Sequence, residues 1–94
     1  MAKKAKQIAG LLKTLANENR LLIFCGLMKR PMTVREIARL TPKITQSALS
    51  QHLALLKAHG VLDCARTGQN VTYSLSDHRV EEVMNILKQN YCVS

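Results

Sequence analysis

TVREIARLTPKITQSALSQHLALLKAHG, residues 33–60, is the stretch that decides the fold. Thr33 followed three residues later by Glu36 is a capping box, in which each side chain satisfies the other residue's free backbone N–H. The spacing predicts a short helix from Val34 to about Leu40, closed before Thr41-Pro42. Thr45 then stands as the N-cap of a second helix, Gln46 to about His59, which Gly60 stops. Ala48, Leu49, Leu53 and Leu56 share one side of that helix and turn Gln46, Ser47, Ser50, Gln51 and Lys57 outward. Two capped helices across a turn of about four residues, the second with a polar and uncharged outer face, are the pattern of a helix-turn-helix.

Working outward, Lys29-Arg30-Pro31 breaks the helix expected over Glu18 to Met28, because proline cannot continue the hydrogen-bond ladder. That helix (Leu21, Leu22, Ile23, Phe24, Cys25, Leu27, Met28) is apolar nearly all round, as suits a central element, and Asn17 caps it. Ile8, Leu11, Leu12 and Leu15 predict an amphipathic helix over about residues 3–16. On the other side, Val61 to Arg66 and Val71 to Leu75 are β-prone runs joined by Thr67-Gly68-Gln69-Asn70, a hairpin or wing. Ser76 or Asp77 is expected to cap a last helix carrying Val80, Val83, Met84, Leu87 and Tyr91. The fold class is therefore mainly α with a small two-stranded hairpin: about five helices in one winged helix-turn-helix domain over residues 1–94.

The 94 residues carry 14 Lys and Arg against 6 Asp and Glu, a net charge of +8 that favours a polyanionic partner. Three aromatic residues are too few for single-strand binding by base stacking, which leaves duplex DNA. A helix-turn-helix reads base edges with the N-terminal side chains of its second helix. Gln46, Ser47, Ser50, Gln51 and His52 are the candidate readers, with Lys57 on the same helix. Lys29, Arg30, Arg35, Arg39, Lys43 and Arg66 are candidates for phosphate contact. No run approaches the ~20 apolar residues that span a bilayer, and no signal-peptide pattern follows the basic start, so a cytoplasmic, non-membrane protein is expected. No phosphate loop, HExxH or nucleophile–base motif points to an enzyme.

The run Leu15-Ala16-Asn17-Glu18-Asn19-Arg20-Leu21, the segment SALSQHLALLKAHGVL (47–62) and the wing ending VTYSLSD resemble the ArsR/SmtB family of bacterial winged-helix repressors. The resemblance implies a homodimer paired through its first and last helices, bound to double-stranded operator DNA and released by an inducer. The family's usual metal sites are not matched. The third helix has no cysteine, and of the four-ligand site on the last helix only Asp77 is present, with Arg79, Asn90 and Val93 at the other positions. No cofactor or metal is expected; His78 reads as a surface or capping residue, and His52 and His59 as DNA-contacting or packing residues.

Cys25 in the second helix and Cys92 near the end of the last resemble the cysteine pair of the family's sulfide-responsive, persulfide-sensing branch, which implies reactive sulfur or an oxidant as inducer. Cys64, in the wing, matches neither member and reads as structural or incidental. Three alternatives stay open: a metal-responsive repressor with an unfamiliar site, a repressor whose cysteines are inert, and a winged-helix module that contacts only proteins.

Overall fold

A computed structural model describes residues 2–76, 78 and 81–90. Its element order is α1 (Ala2–Leu15), α2 (Glu18–Lys29), β1 (Met32–Thr33), α3 (Val34–Ala38), α4 (Gln46–Ala58), β2 (Leu62–Thr67), β3 (Asn70–Leu75) and α5 (Glu81–Asn90). The core gathers Leu15 from α1, Ile23, Phe24 and Leu27 from α2, Ile37 from α3, Leu49, Leu53 and Leu56 from α4, and Val61, Leu62 and Leu75 around the hairpin. The central position expected of α2 follows from its packing against α1, α4 and β3. Its Gly26 is buried, and a Cβ there would collide with Leu40 Cδ1, so the missing side chain is what lets the end of the α3 region lie against α2.

Local chemistry sets the boundaries. Asn17 accepts from the backbone N–H of Asn19 and Arg20 at 3.0 and 3.2 Å and starts α2. The capping box at α3 is present in both directions: Thr33 N–H donates to Glu36 Oε1 at 3.0 Å, and Glu36 N–H to Thr33 Oγ1 at 3.3 Å. Beyond Ala38 the backbone tightens into three-residue bonds, Leu40 N–H to Ile37 O and Thr41 N–H to Ala38 O, so α3 ends two residues earlier than expected. Thr45 Oγ1 accepts from Ala48 N–H at 3.0 Å and opens α4. At its other end Gly60 takes φ +74°, donates to Lys57 O, and lets Val61 N–H reach Leu56 O at 2.9 Å. These two bonds make a Schellman stop, closed by Leu56 and Val61, both fully buried.

The sheet corrects the sequence reading. It has three antiparallel strands in the order β1-β3-β2, not two. Met32 pairs with Tyr73 and Thr33 with Thr72, so the residues just after the Pro31 break are held extended by the wing. In the hairpin itself Thr67 pairs with Asn70, which shortens the expected four-residue turn to Gly68-Gln69, with Gly68 at φ +63°. A second correction concerns α5. Ser76 does not cap it; its hydroxyl donates to Gly60 O at 2.6 Å and ties the end of β3 to the end of α4. His78 instead pairs with Glu81 at 2.7 Å where α5 begins. Asp77, Arg79, Val80, Tyr91, Cys92 and Val93 lie outside the described residues, and so does the side chain of Asn90.

Candidate nucleic-acid interface

The helix-turn-helix presents α4 with one face committed to the core and the other free. Leu49, Leu53 and Leu56 are buried, while Gln46, Ser47, Ser50, Gln51, Ala54 and Lys57 are exposed. The helical period explains this division: residues at three- and four-residue spacing follow one face, and the five buried or half-buried residues Ala48, Leu49, His52, Leu53 and Leu56 fix its direction. His52 stands at the edge of the exposed row, half-buried. Burial, and secondarily the Arg20 guanidinium of α2, hold its imidazole below the usual histidine range, so near neutral pH the ring favours its uncharged form.

The N-terminal end of α4 is electrostatically open. Its first turn holds no acidic residue, Thr45 satisfies only the Ala48 donor, and the aligned peptide dipoles leave positive potential there. A cleft of about 400 Å³ runs between α3 and α4, lined by Arg35, Thr41, Thr45 and Gln46 over an apolar floor that includes Ile44 and Leu49. Thr41 Oγ1 is buried without a hydrogen-bond partner among the described residues. Arg35 on α3, Lys43 in the turn and Arg66 on β2 are exposed, as is Arg39.

Arg30 is engaged differently from the sequence expectation of a phosphate contact. Its guanidinium pairs with Glu36 Oε2 at 2.8 Å and braces the capping box of α3. The Thr33 backbone N–H and then Arg30 hold the Glu36 carboxyl below its ordinary value. Lys57 is also engaged: its Nζ lies 3.1 Å from Cys64 Sγ. Sequence reading set Cys64 aside as structural or incidental and missed this contact. No local sequence signal pairs them, because Lys57 lies on a helix and Cys64 on a strand beyond the Gly60 reversal.

Cys25 is half-buried on α2; its expected partner, Cys92, lies outside the described residues. Among the described residues no group of three His, Cys, Asp or Glu side chains is placed to hold a metal ion. No described helix is long and apolar enough to cross a membrane. Apolar side chains do remain exposed on the two flanking helices: Ile8 and Leu12 on α1, and Val83, Ile86 and Leu87 on α5.

Comparison with known proteins gives a consistent picture. Residues 17–63, from the cap of α2 to the start of β2, match the family described as bacterial regulatory protein, arsR family. The transcriptional activator HlyU of Vibrio cholerae is 38% identical over 92 residues, which cover 98% of this chain and 84% of that protein. Its solved structure has a TM-score of 0.87 over 98% of this chain and 99% of the other; a structure of reduced HlyU has 0.86, over 98% and 96%. The transcriptional repressor BigR of Xylella fastidiosa is 31% identical, with a TM-score of 0.88 over 100% and 95%. A homodimeric winged helix-turn-helix DNA-binding domain, Mb0332 from Mycobacterium bovis, is 27% identical, with a TM-score of 0.81 over 96% and 82%.

Proposed function

The chain belongs to the arsR family of bacterial regulatory proteins, a family of winged-helix transcriptional regulators, and from that premise we propose that it is a homodimeric, sequence-specific repressor whose α4 reads operator DNA. The observation that carries this reading is the face of α4: Gln46, Ser47, Ser50 and Gln51 stand exposed in one row over a helix locked to the core by Leu49, Leu53 and Leu56. Gln pairs bidentately with adenine and Ser with several base edges, so an uncharged polar row suits base readout in the major groove. Arg35, Lys43 and Arg66, set around that row, supply phosphate contacts that fix register without reading sequence. Lys57 adds charge toward the C-terminal end of the helix, and His52 contributes from its edge as a neutral side chain.

Residues 1–94 act as one cytoplasmic domain in this reading, with neither enzymatic activity nor cofactor. The exposed apolar rows of α1 and α5 supply the dimer contact, and two copies of α4 then meet two half-sites of a roughly palindromic operator. Release follows from chemistry at Cys25 and Cys92: a persulfide, polysulfide or oxidant links the two thiols within one chain and shifts α5 relative to α2. The half-burial of Cys25, which leaves its sulfur within reach of a small reagent, supports this step. A second reading, activation rather than repression at the promoter, is favoured by the V. cholerae relative, which is an activator.

Selection of bound duplexes from a random pool tests the reading directly. A palindromic consensus is expected, with affinity that falls at least about tenfold, about 1.4 kcal/mol, after treatment with a sulfane-sulfur donor. Cys25→Ser and Cys92→Ser should each bind without responding. A preference that survives joint replacement of Gln46, Ser47, Ser50 and Gln51 by alanine would remove α4 as the reader.

A further inference from the structure

The last turn of α4 and the start of β2 flank the Gly60 reversal, and across it Lys57 Nζ and Cys64 Sγ stand 3.1 Å apart. The two side chains are anchored by different elements. Lys57 follows directly on the buried Leu56, and Cys64 is held in the ladder opposite Tyr73. Lys57 is exposed and Cys64 half-buried, so small solutes reach the pair. The ammonium donates to the sulfur, and that contact, before any other influence, holds Lys57 above the usual lysine range. A nitrogen and a sulfur held close by two packed elements begin nearer to reaction than two free groups, which lowers the entropic part of the barrier to joining them.

We propose that Lys57 and Cys64 form an oxidant-responsive cross-linking site, in which hydrogen peroxide converts their contact into a covalent sulfur–nitrogen link between α4 and β2. In the first step the Cys64 sulfur attacks one peroxide oxygen. An S–O bond forms and the O–O bond breaks; sulfur is oxidised by two electrons, and the leaving hydroxide takes the thiol proton to become water. In the second step Lys57 releases its ammonium proton to solvent, and the amine lone pair attacks the sulfur of the sulfenic acid. The S–N bond forms, the S–O bond breaks, and water departs with one amine hydrogen, without further change in oxidation state. The product is lighter than the reduced, neutral-amine chain by two hydrogens and lacks the Lys57 charge. A dithiol reductant reverses the link, returning amine and thiol as it closes to its own disulfide.

The site uses neither Cys25 nor Cys92, and because it is read by mass it stands or falls independently of DNA binding. The test treats the Cys25→Ser/Cys92→Ser chain with hydrogen peroxide and follows it by intact mass and tryptic mapping. The expected result is loss of two hydrogens, loss of cleavage after Lys57, a peptide joining Lys57 to Cys64, and reversal by dithiothreitol. Lys57→Arg in the same background should stop at a sulfenic acid that dimedone captures. The same map of the wild-type chain reads the joined peptide without reliance on the double variant. An unreacted Cys64, a disulfide between chains through Cys64, or the same uncross-linked Cys64 oxides with lysine or arginine at position 57 would overturn the proposal.

Discussion

α4 and α5 are both amphipathic helices, yet the structure treats their apolar faces in opposite ways. Leu49, Leu53 and Leu56 of α4 are no more than 2% exposed, packed beneath α2 and β2. Among the described side chains of α5 only Met84 reaches the core, while Val83, Ile86 and Leu87 are about half exposed, matched on α1 by Ile8 and Leu12. The apolar face of α4 is covered within the chain, whereas these rows on α1 and α5 stay exposed. A domain this small leaves little core to spare, and contiguous apolar rows on two helices are the surface a second copy would cover. The difference separates two properties that a single hydrophobic pattern conflates, namely what folds the chain and what assembles it.

The sharpest way to break this comparison is to charge the flanks. Ile8→Glu with Ile86→Glu is expected to leave the circular-dichroism spectrum unchanged, convert a dimer to a monomer by sedimentation, and weaken operator binding about a hundredfold or more, because paired half-sites lose their avidity. A dimer that persists would show that these rows serve another purpose. Next in size, Leu53→Ala should lower unfolding free energy by about 2 to 5 kcal/mol through the cavity it leaves. In the monomeric background Leu12→Ala should cost less than about 1 kcal/mol, since it is already 54% exposed. Urea titration of both variants checks the contrast.

On the reading head itself, Ser50→Ala or Gln51→Ala should lose about 1 to 3 kcal/mol of discrimination between operator and random DNA. Arg66→Ala should weaken both complexes alike and reduce the salt slope by about one. Anisotropy titrations at several salt concentrations separate the two behaviours. The smallest effect concerns Glu36, whose carboxyl is held below its ordinary value by Thr33 and Arg30. Its contribution to stability is present above the unfolded value, about pH 4.3, and is lost as pH falls through the lower folded value. Urea midpoints between about pH 5 and about pH 3 should fall less in Glu36→Gln than in the wild type.

Sequence order revealed those features whose cause is local. The Thr33–Glu36 box, the Thr45 cap and the Gly60 stop each depend on residues within a few positions of one another, and each is found where expected. The outward row of α4 was equally legible, because helical period alone fixes which side chains oppose Leu49, Leu53 and Leu56. β1 was not: two residues cannot display alternation, and its partner lies some forty positions away in β3. Ser76 misled for a similar reason. It has the chemistry of a cap, and only the fold brings Gly60 O within its reach. Arg30 and Lys57 looked free because sequence gives no sign of a partner in another element.

The short β1–β3 pairing gives the molecule a seam. Thr33 and Thr72 lie side by side in the sheet, so the segment between them leaves and re-enters the rest of the chain at neighbouring points. That segment contains α3, the turn, α4 and most of the wing, whereas α1, α2 and α5 lie outside it. An insert with adjacent ends can be exchanged for another of the same span without a new loop to close. The helix-turn-helix of a related regulator, transplanted between these two threonines, should therefore fold on the α1–α2–α5 frame of this chain and bring its own DNA preference with it.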